Sequence, residues 1–318
     1  MDKVVIIADS SSPGFNFAKG VWEKLHQKES QVKLIDVKKI IFKDKEFKMK
    51  ICDNIRRKKC FLIHDSNKDP CKWFTELAFI LEAMTFSSPQ EINVILPYTR
   101  FARQDRKDES RISVNSKAVA DIISLYADRG LTCDLHAPQI QEFFSIPFDN
   151  LYSFPIIIEY LEKKYPEMLE NLVVVSPDLG GAKRVEALVK RLALKGIKAD
   201  IAFSHKTRVK DNEVSKIKII GDVKGKNCLI VDDIIDTGGT LIKVAQELKQ
   251  EGCKKVYAYA THGIFSGDQD FSVFEKVFMS NTMKKPDIPN IEVISLETLF
   301  AEAIYRIVMG KSLSVLFD

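Results

Sequence analysis

Short apolar runs alternate along the chain with longer stretches in which apolar positions recur every three to four residues. Cys60–Ile63, Ile92–Leu96, Leu172–Val175 and Cys228–Val231 predict strands. Between them the helical spacing predicts helices over about Trp73–Thr85, Val114–Leu125, Ile156–Lys164 and Ala182–Leu192. In the last of these, Val185, Leu188, Val189 and Leu192 share one face and Lys183, Arg184, Glu186 and Lys190 the other. A further helix after Thr240 turns Leu241, Val244, Ala245 and Leu248 inward; Gly252 closes it, and Lys254–Ala260 starts the next strand. Repeated strand–helix alternation predicts an α/β fold of mostly parallel sheets flanked by helices.

Length makes this two domains. At roughly 150 residues per domain, 318 residues divide into two, and the boundary falls near Ser153-Phe154-Pro155. The two α/β halves are similar enough in size to permit an internal duplication. A chain with 45% hydrophobic and 29% charged residues lies outside the disordered class. The formal net charge of +4 is too small for a nucleic-acid footprint, so any basic site must be local. The six cysteines are scattered, with no C-x-x-C pair, and read as free thiols of a reducing compartment. Val4–Ala8 ends at Asp9 and does not resemble a targeting signal, and no apolar stretch approaches the ~20 residues that span a bilayer. The expectation is a cytoplasmic protein with no membrane or nucleic-acid partner.

The densest chemistry lies in Val231-Asp232-Asp233-Ile234-Ile235-Asp236-Thr237-Gly238-Gly239-Thr240. A strand runs into carboxylates, then a glycine turn flanked by hydroxyls, then a helix start. The glycines let backbone N–H groups approach an anion, and the helix dipole favours negative charge. Asp232 and Asp233 can accept from sugar hydroxyls or face a divalent cation. An acidic turn with a capping threonine is the alternative, and it leaves the clustering of three carboxylates beside this turn unexplained.

This segment resembles the phosphoribosyl-pyrophosphate (PRPP) motif shared by type I phosphoribosyltransferases and the ribose-phosphate pyrophosphokinases. Two further segments point to the second group. Tyr98–Lys107, dense in cations, is similar to the ATP-binding segment of the pyrophosphokinases, and Asp134–Leu151 resembles the same family across its whole length. The likeness extends over about residues 42–318. It implies two phosphoribosyltransferase-like domains, 1–153 for ATP and 154–304 for ribose 5-phosphate, with a tail of about 305–318 packing back on the first. It implies transfer of the pyrophosphoryl group of ATP to the anomeric hydroxyl of ribose 5-phosphate, giving PRPP and AMP with Mg2+ as cofactor.

Residue by residue, the resemblance places Arg103, Gln104, Asp105 and His136 at ATP, with Phe42, Asp44 and Glu46 reaching adenine from a neighbouring subunit. It therefore implies a homo-oligomer, dimer to hexamer. Asp232 and Asp233 fall at the ribose hydroxyls, and Asp236, Thr237, Gly238, Gly239 and Thr240 at the 5-phosphate. Metal contacts fall to His136, Asp178, Asp232 and Asp233. Lys206 and Arg208 lie in a polar stretch, His205–Val214, that reads as a mobile loop; they match the pair that closes over the reacting phosphates. Arg56, Gln141, Asp149, Asn150, Ser312 and Ser314 match a regulatory anion site for phosphate or ADP.

Several positions depart from the family pattern. Lys45 replaces the usual turn glycine, Asn54-Ile55-Arg56-Arg57 stands for a Ser-Val-Arg-Gly turn, and His64-Asp65-Ser66 stands for a Gln-Ser pair. None falls on the transfer residues: Lys45 thins the resemblance at the adenine segment Phe42–Glu46, and the other departures bear on regulation. Two other readings stay open at this point. A plain phosphoribosyltransferase would lack ATP-dependent AMP release. A non-catalytic relative that modulates a synthase or builds filaments would carry altered catalytic loops, whereas this loop keeps Lys206 and Arg208.

Overall fold

The structure is a computed structural model that describes residues 3–207 and 216–317, apart from the side chains of residues 206, 207 and 216. It gathers into two compact units. One holds the chain up to Tyr152 with Thr282–Lys284 and Leu296–Phe317; the other holds Ser153–Asn281 with Lys285–Ser295.

The first unit is built on β1 (Val4–Ala8), α1 (Phe15–Lys28), β2 (Val32–Ile41), β3 (Phe47–Ile51), β4 (Lys59–Ile63), α2 (Pro70–Phe86), β5 (Glu91–Leu96), α3 (Asn115–Tyr126), β6 (Arg129–Cys133) and β7 (Phe148–Leu151). The sheet order is β3-β2-β1-β4-β5-β6-β7, parallel except for β3. All five residues of β1 are buried, as a central parallel strand requires. Asp69 starts α2 by accepting the backbone N–H groups of Cys71 and Lys72, with Pro70 at the first helical position where its missing N–H is harmless. From α2, Trp73, Leu77, Ile80, Leu81 and Met84 then pack on Val5, Ile7, Leu62 and Val94.

The second unit repeats the plan. α4 (Phe154–Lys164), β8 (Leu172–Ser176), α5 (Ala182–Leu194), β9 (Ala199–Thr207), β10 (Lys216–Ile220), β11 (Asn227–Ile235), α6 (Gly239–Gln250), β12 (Lys255–Gly263), β13 (Lys276–Ser280) and β14 (Ile291–Ile294) give the sheet order β10-β9-β8-β11-β12-β13-β14. Its edge strand β10 is again antiparallel. In both units the order reverses between two central parallel strands, β1 and β4 or β8 and β11. Loops leaving such a pair diverge and open a crevice at the strand ends, where ligands of α/β sheets bind.

Three readings change. β11 runs on to Ile235, pairing with β12 as far as Gly263, so Asp232 and Asp233 belong to the strand and not to the turn. His205, Lys206 and Thr207 extend β9 and pair with β10, so the stretch read as a loop begins as strand; residues 208–214 lie outside the described residues. Last, α7 (Glu297–Val308) groups with the first unit, where Phe300 meets Phe17 edge-on at 5.2 Å and Glu302 pairs with Lys28. No helix among the described residues is long and apolar enough to cross a membrane.

Candidate active site

At the end of β11 the buried strand delivers Asp232 and Asp233, followed by the turn Asp236-Thr237-Gly238 and the start of α6. Gly238 has φ +81°, a left-handed conformation that glycine adopts without strain, and a Cβ there would lie 2.3 Å from Phe271 Cζ. Gly239 opens α6 with only Thr237 Oγ1, at 3.9 Å, near its missing Cβ. Thr237 is exposed, while Asp236 accepts from the Ser266 hydroxyl. The turn thus keeps backbone N–H groups at a helix N-terminus with only the Thr237 hydroxyl near Gly239's missing Cβ, which suits a phosphate.

Asp233 is buried and Asp232 half-buried. Asp232 Oδ1 accepts the Asp233 N–H at 2.9 Å. Burial and the adjacent Asp233 carboxylate push Asp232 well above the usual carboxylate range, and the Arg184 guanidinium opposes them. Asp178, in the turn after β8, is exposed; its Oδ1 accepts the Gly181 N–H at 2.9 Å, and the Ser176 hydroxyl donates to its carbonyl. The second unit therefore brings Asp232, Asp233, Asp236, Thr237, Gly238, Gly239 and Thr240 to one strand–turn–helix junction.

In the first unit the cationic segment follows β5. Arg100 is tied down: Nε donates to the Ser66 carbonyl at 2.8 Å and Nη2 to the Lys68 carbonyl at 3.1 Å. Phe101 takes φ +65°, held by its packing near Trp73 and Phe74. This bend presents Arg103 at the surface. Gln104 closes the loop itself, donating to the carbonyls of Arg106 at 3.1 Å and Ser113 at 3.4 Å, with Asp105 half-buried beside it. His136 stands exposed after β6. Phe42, Asp44 and Glu46 are exposed at the tip of the β2–β3 hairpin, where the Phe42 N–H donates to the Glu46 carbonyl at 2.7 Å.

The anion-site residues divide. Asp149, Ser312 and Ser314 line one cleft of about 570 Å3 with Lys59, Arg129 and Lys311, whereas Arg56, Gln141 and Asn150 are not among its walls. Arg129 pairs with Asp149, and the Ser312 and Ser314 hydroxyls lie 2.8 Å apart. Gln141 instead accepts the Asn150 N–H at 3.2 Å, and Asn150 Nδ2 is buried without a hydrogen-bond partner.

Sequence reasoning missed four of these participants. Arg184, Lys59, Arg129 and Lys311 look like ordinary solvated cations, and only the spacing of Arg184 three residues after Gly181 offered a signal. Also unread was a partly buried chain of alternating charge: Lys39 pairs with Glu76 at 2.8 Å, Glu76 with Lys68 at 2.6 Å, and Lys68 with Asp9 at 2.6 Å.

One parallel-sheet topology used twice, with a glycine turn, hydroxyls and paired carboxylates at the end of β11, defines an α/β class of phosphoribosyltransferase-like build. Sequence profiles narrow it. That of the N-terminal domain of ribose phosphate pyrophosphokinase matches residues 4–126, and that of the phosphoribosyl synthetase-associated domain matches residues 199–318. A ribose-phosphate pyrophosphokinase of Chlorobaculum tepidum is 42% identical over 90% of this chain and 88% of its own. One of Haemophilus influenzae is 37% identical over the whole of both chains. The crystal structure of phosphoribosylpyrophosphate synthetase from Mycobacterium smegmatis superposes with a TM-score of 0.84 at 28% identity, covering 97% of this chain and 99% of that one. The chain belongs to the ribose-phosphate pyrophosphokinase family.

Proposed function

We propose that the chain catalyses ATP plus ribose 5-phosphate to PRPP plus AMP, with the anomeric hydroxyl attacking the β-phosphorus of ATP. The β11 junction carries the sugar-phosphate half of this reading, with two carboxylates shortly before a glycine turn and helix start suited to a phosphate, and membership of the ribose-phosphate pyrophosphokinase family supports ATP as the donor. In-line alignment and charge neutralisation supply most of the catalysis in such a transfer, and no covalent nucleophile is needed. Asp232 and Asp233 accept from the ribose hydroxyls, and Asp236–Thr240 hold the 5-phosphate. Arg103 and Asp105 meet the nucleotide, and Gln104 shapes their loop. Lys206 and Arg208 stabilise charge that builds on the transferred group.

The donor set fits a hard divalent cation. Asp178, Asp232 and Asp233 offer oxygen, and the repulsion between the last two favours positive charge beside them. No group of three or more His, Cys, Asp or Glu side chains able to hold a metal converges among the described residues, so Mg2+ would take much of its shell from water and substrate phosphates. His136 would be a weak or water-mediated contact. When bound, Mg2+ neutralises and polarises the triphosphate.

A homo-oligomer follows from the exposed Phe42, Asp44 and Glu46 reaching a neighbour's adenine, and the site of action is the cytoplasm. The Asp149–Ser312–Ser314 cleft, lined by Lys59, Arg129 and Lys311 together with Glu91, takes phosphate or ADP as regulator. The test is incubation of purified protein with ATP, Mg2+ and ribose 5-phosphate, with and without phosphate, separating products by chromatography. Equimolar AMP and PRPP, lost in an Asp232→Asn/Asp233→Asn protein, are the expected result. A folded, ATP-binding preparation that forms no AMP would overturn the reading in favour of a non-catalytic relative.

A further inference from the structure

Successive residues of a strand point to opposite faces of its sheet, so adjacent carboxylates do not ordinarily serve one ligand. Asp232 and Asp233 are adjacent in β11, yet one guanidinium reaches both. Arg184 Nη1 lies 2.9 Å from Asp232 Oδ1, and Nη2 lies 2.8 Å from Asp233 Oδ1. The fork bonds each carboxylate through a separate nitrogen, a geometry that a point-charge ammonium does not reproduce.

The position of Arg184 has no local explanation. It stands in the first turn of α5, where the positive end of the helix dipole disfavours a cation. Its side chain is only 22% exposed, as is that of Asp232, and that of Asp233 is 4% exposed. A cation held there against the dipole and away from water is held by the carboxylates. The turn before α5 brings Gly181 close to Ser176, whose Oγ would lie 2.5 Å from a Cβ there, while Arg184 Nη1 would lie at an ordinary contact distance of 3.6 Å.

We propose that Arg184 is a positioning residue that sets sugar specificity: it draws Asp232 and Asp233 side by side so that both accept from the vicinal cis-hydroxyls of a phosphorylated furanose. The inference deepens the proposed function and rests on it. A pair of aligned acceptors discriminates strongly against a sugar lacking one hydroxyl, because the deserted carboxylate is left unpaired.

The test compares wild type, Arg184→Lys and Arg184→Met with ribose 5-phosphate and 2-deoxyribose 5-phosphate. Steady-state kinetics are paired with calorimetric binding of each sugar phosphate in the presence of Mg2+ and absence of ATP. Arg184→Met should raise KM for ribose 5-phosphate about tenfold or more and reduce the preference over the deoxy sugar by a similar factor. KM for ATP should move less than about twofold. Arg184→Lys, which restores charge without the fork and guards against misfolding of the Met variant, should recover only part of the preference. Undiminished preference in both assays for a folded Arg184→Lys protein would overturn the inference while leaving the reaction intact. A wild-type protein that forms no PRPP would overturn the reaction and this inference together.

Discussion

His64, at the end of β4, makes acid sensitivity a quantitative test of the first unit. Its ring is 2% exposed, Nε2 lies 2.9 Å from the Trp73 carbonyl oxygen, and the two rings sit 5.4 Å apart. A carbonyl only accepts, so Nε2 carries a proton and donates. Burial, reinforced by the Lys68 cation, lowers the imidazole to about 4. A free imidazole titrates near 6.5, so between the two values the unfolded chain binds more protons and stability rises with pH. The contribution is complete above about pH 6.5 and lost as pH falls to about 4. At about 1.4 kcal/mol per pH unit the whole gap is worth about 3 kcal/mol, of which about 2 kcal/mol disappears between pH 7 and 5.

The perturbation is His64→Gln, which removes the titration and keeps a donor for the Trp73 carbonyl. Urea unfolding of both proteins at pH 7, 6 and 5 gives the comparison. Wild type should lose about 2 kcal/mol more than the variant over that range. Asp9 and Glu76 are also acid-sensitive: burial pushes each up, but hydrogen bonds from Lys68 to Asp9, and from Lys39 and Lys68 to Glu76, outweigh it and hold them below the usual range. Their loss comes mainly below pH 5 and is common to both proteins. Parallel stability–pH curves would refute the assignment of a neutral, buried His64.

Gly221 has φ +131°, and a Cβ there would meet Ala202 Cβ at 2.8 Å and its Cα at 3.0 Å, so Gly221→Ala should cost about 2–4 kcal/mol by thermal unfolding. Gly225→Ala, with φ +70° but nothing within 4 Å, should cost only about 1 kcal/mol; equal losses would contradict the steric argument. Lys45 holds φ +75° in the hairpin turn, so Lys45→Gly should raise stability by about 0.5–1 kcal/mol, and a lower urea midpoint would count against it. Lys206→Ala should cut kcat by roughly 10²–10³ with KM values changed a few-fold at most; an unchanged kcat would remove Lys206 from the transfer step.

Both sheets were legible because their central strands are buried on both faces and appear as unbroken apolar runs. The PRPP-type segment was legible because its chemistry is contiguous. What escaped depends on contacts between distant positions. Asp232 and Asp233 look like a turn because carboxylates rarely sit inside a strand, and only the pairing of β11 with β12 places them there. Arg184 looks like helix surface because its partners lie 48 and 49 positions away in sequence. Lys68 looks solvated, yet it is half-buried and paired with both Asp9 and Glu76. At two turns Lys45 and Arg57 hold a left-handed backbone, with φ +75° and +57°. Neither residue type signals that conformation, so the conformation and its cost of about 1 kcal/mol each emerge only from the backbone.

Transfer of an intact pyrophosphoryl group carries the terminal phosphorus of ATP into the sugar product. With ATP labelled at the γ-phosphate, ribose 5-phosphate and Mg2+, label should appear in PRPP in a one-to-one ratio with unlabelled AMP. Label in a singly phosphorylated sugar with ADP as co-product, or in free phosphate alone, would contradict intact transfer.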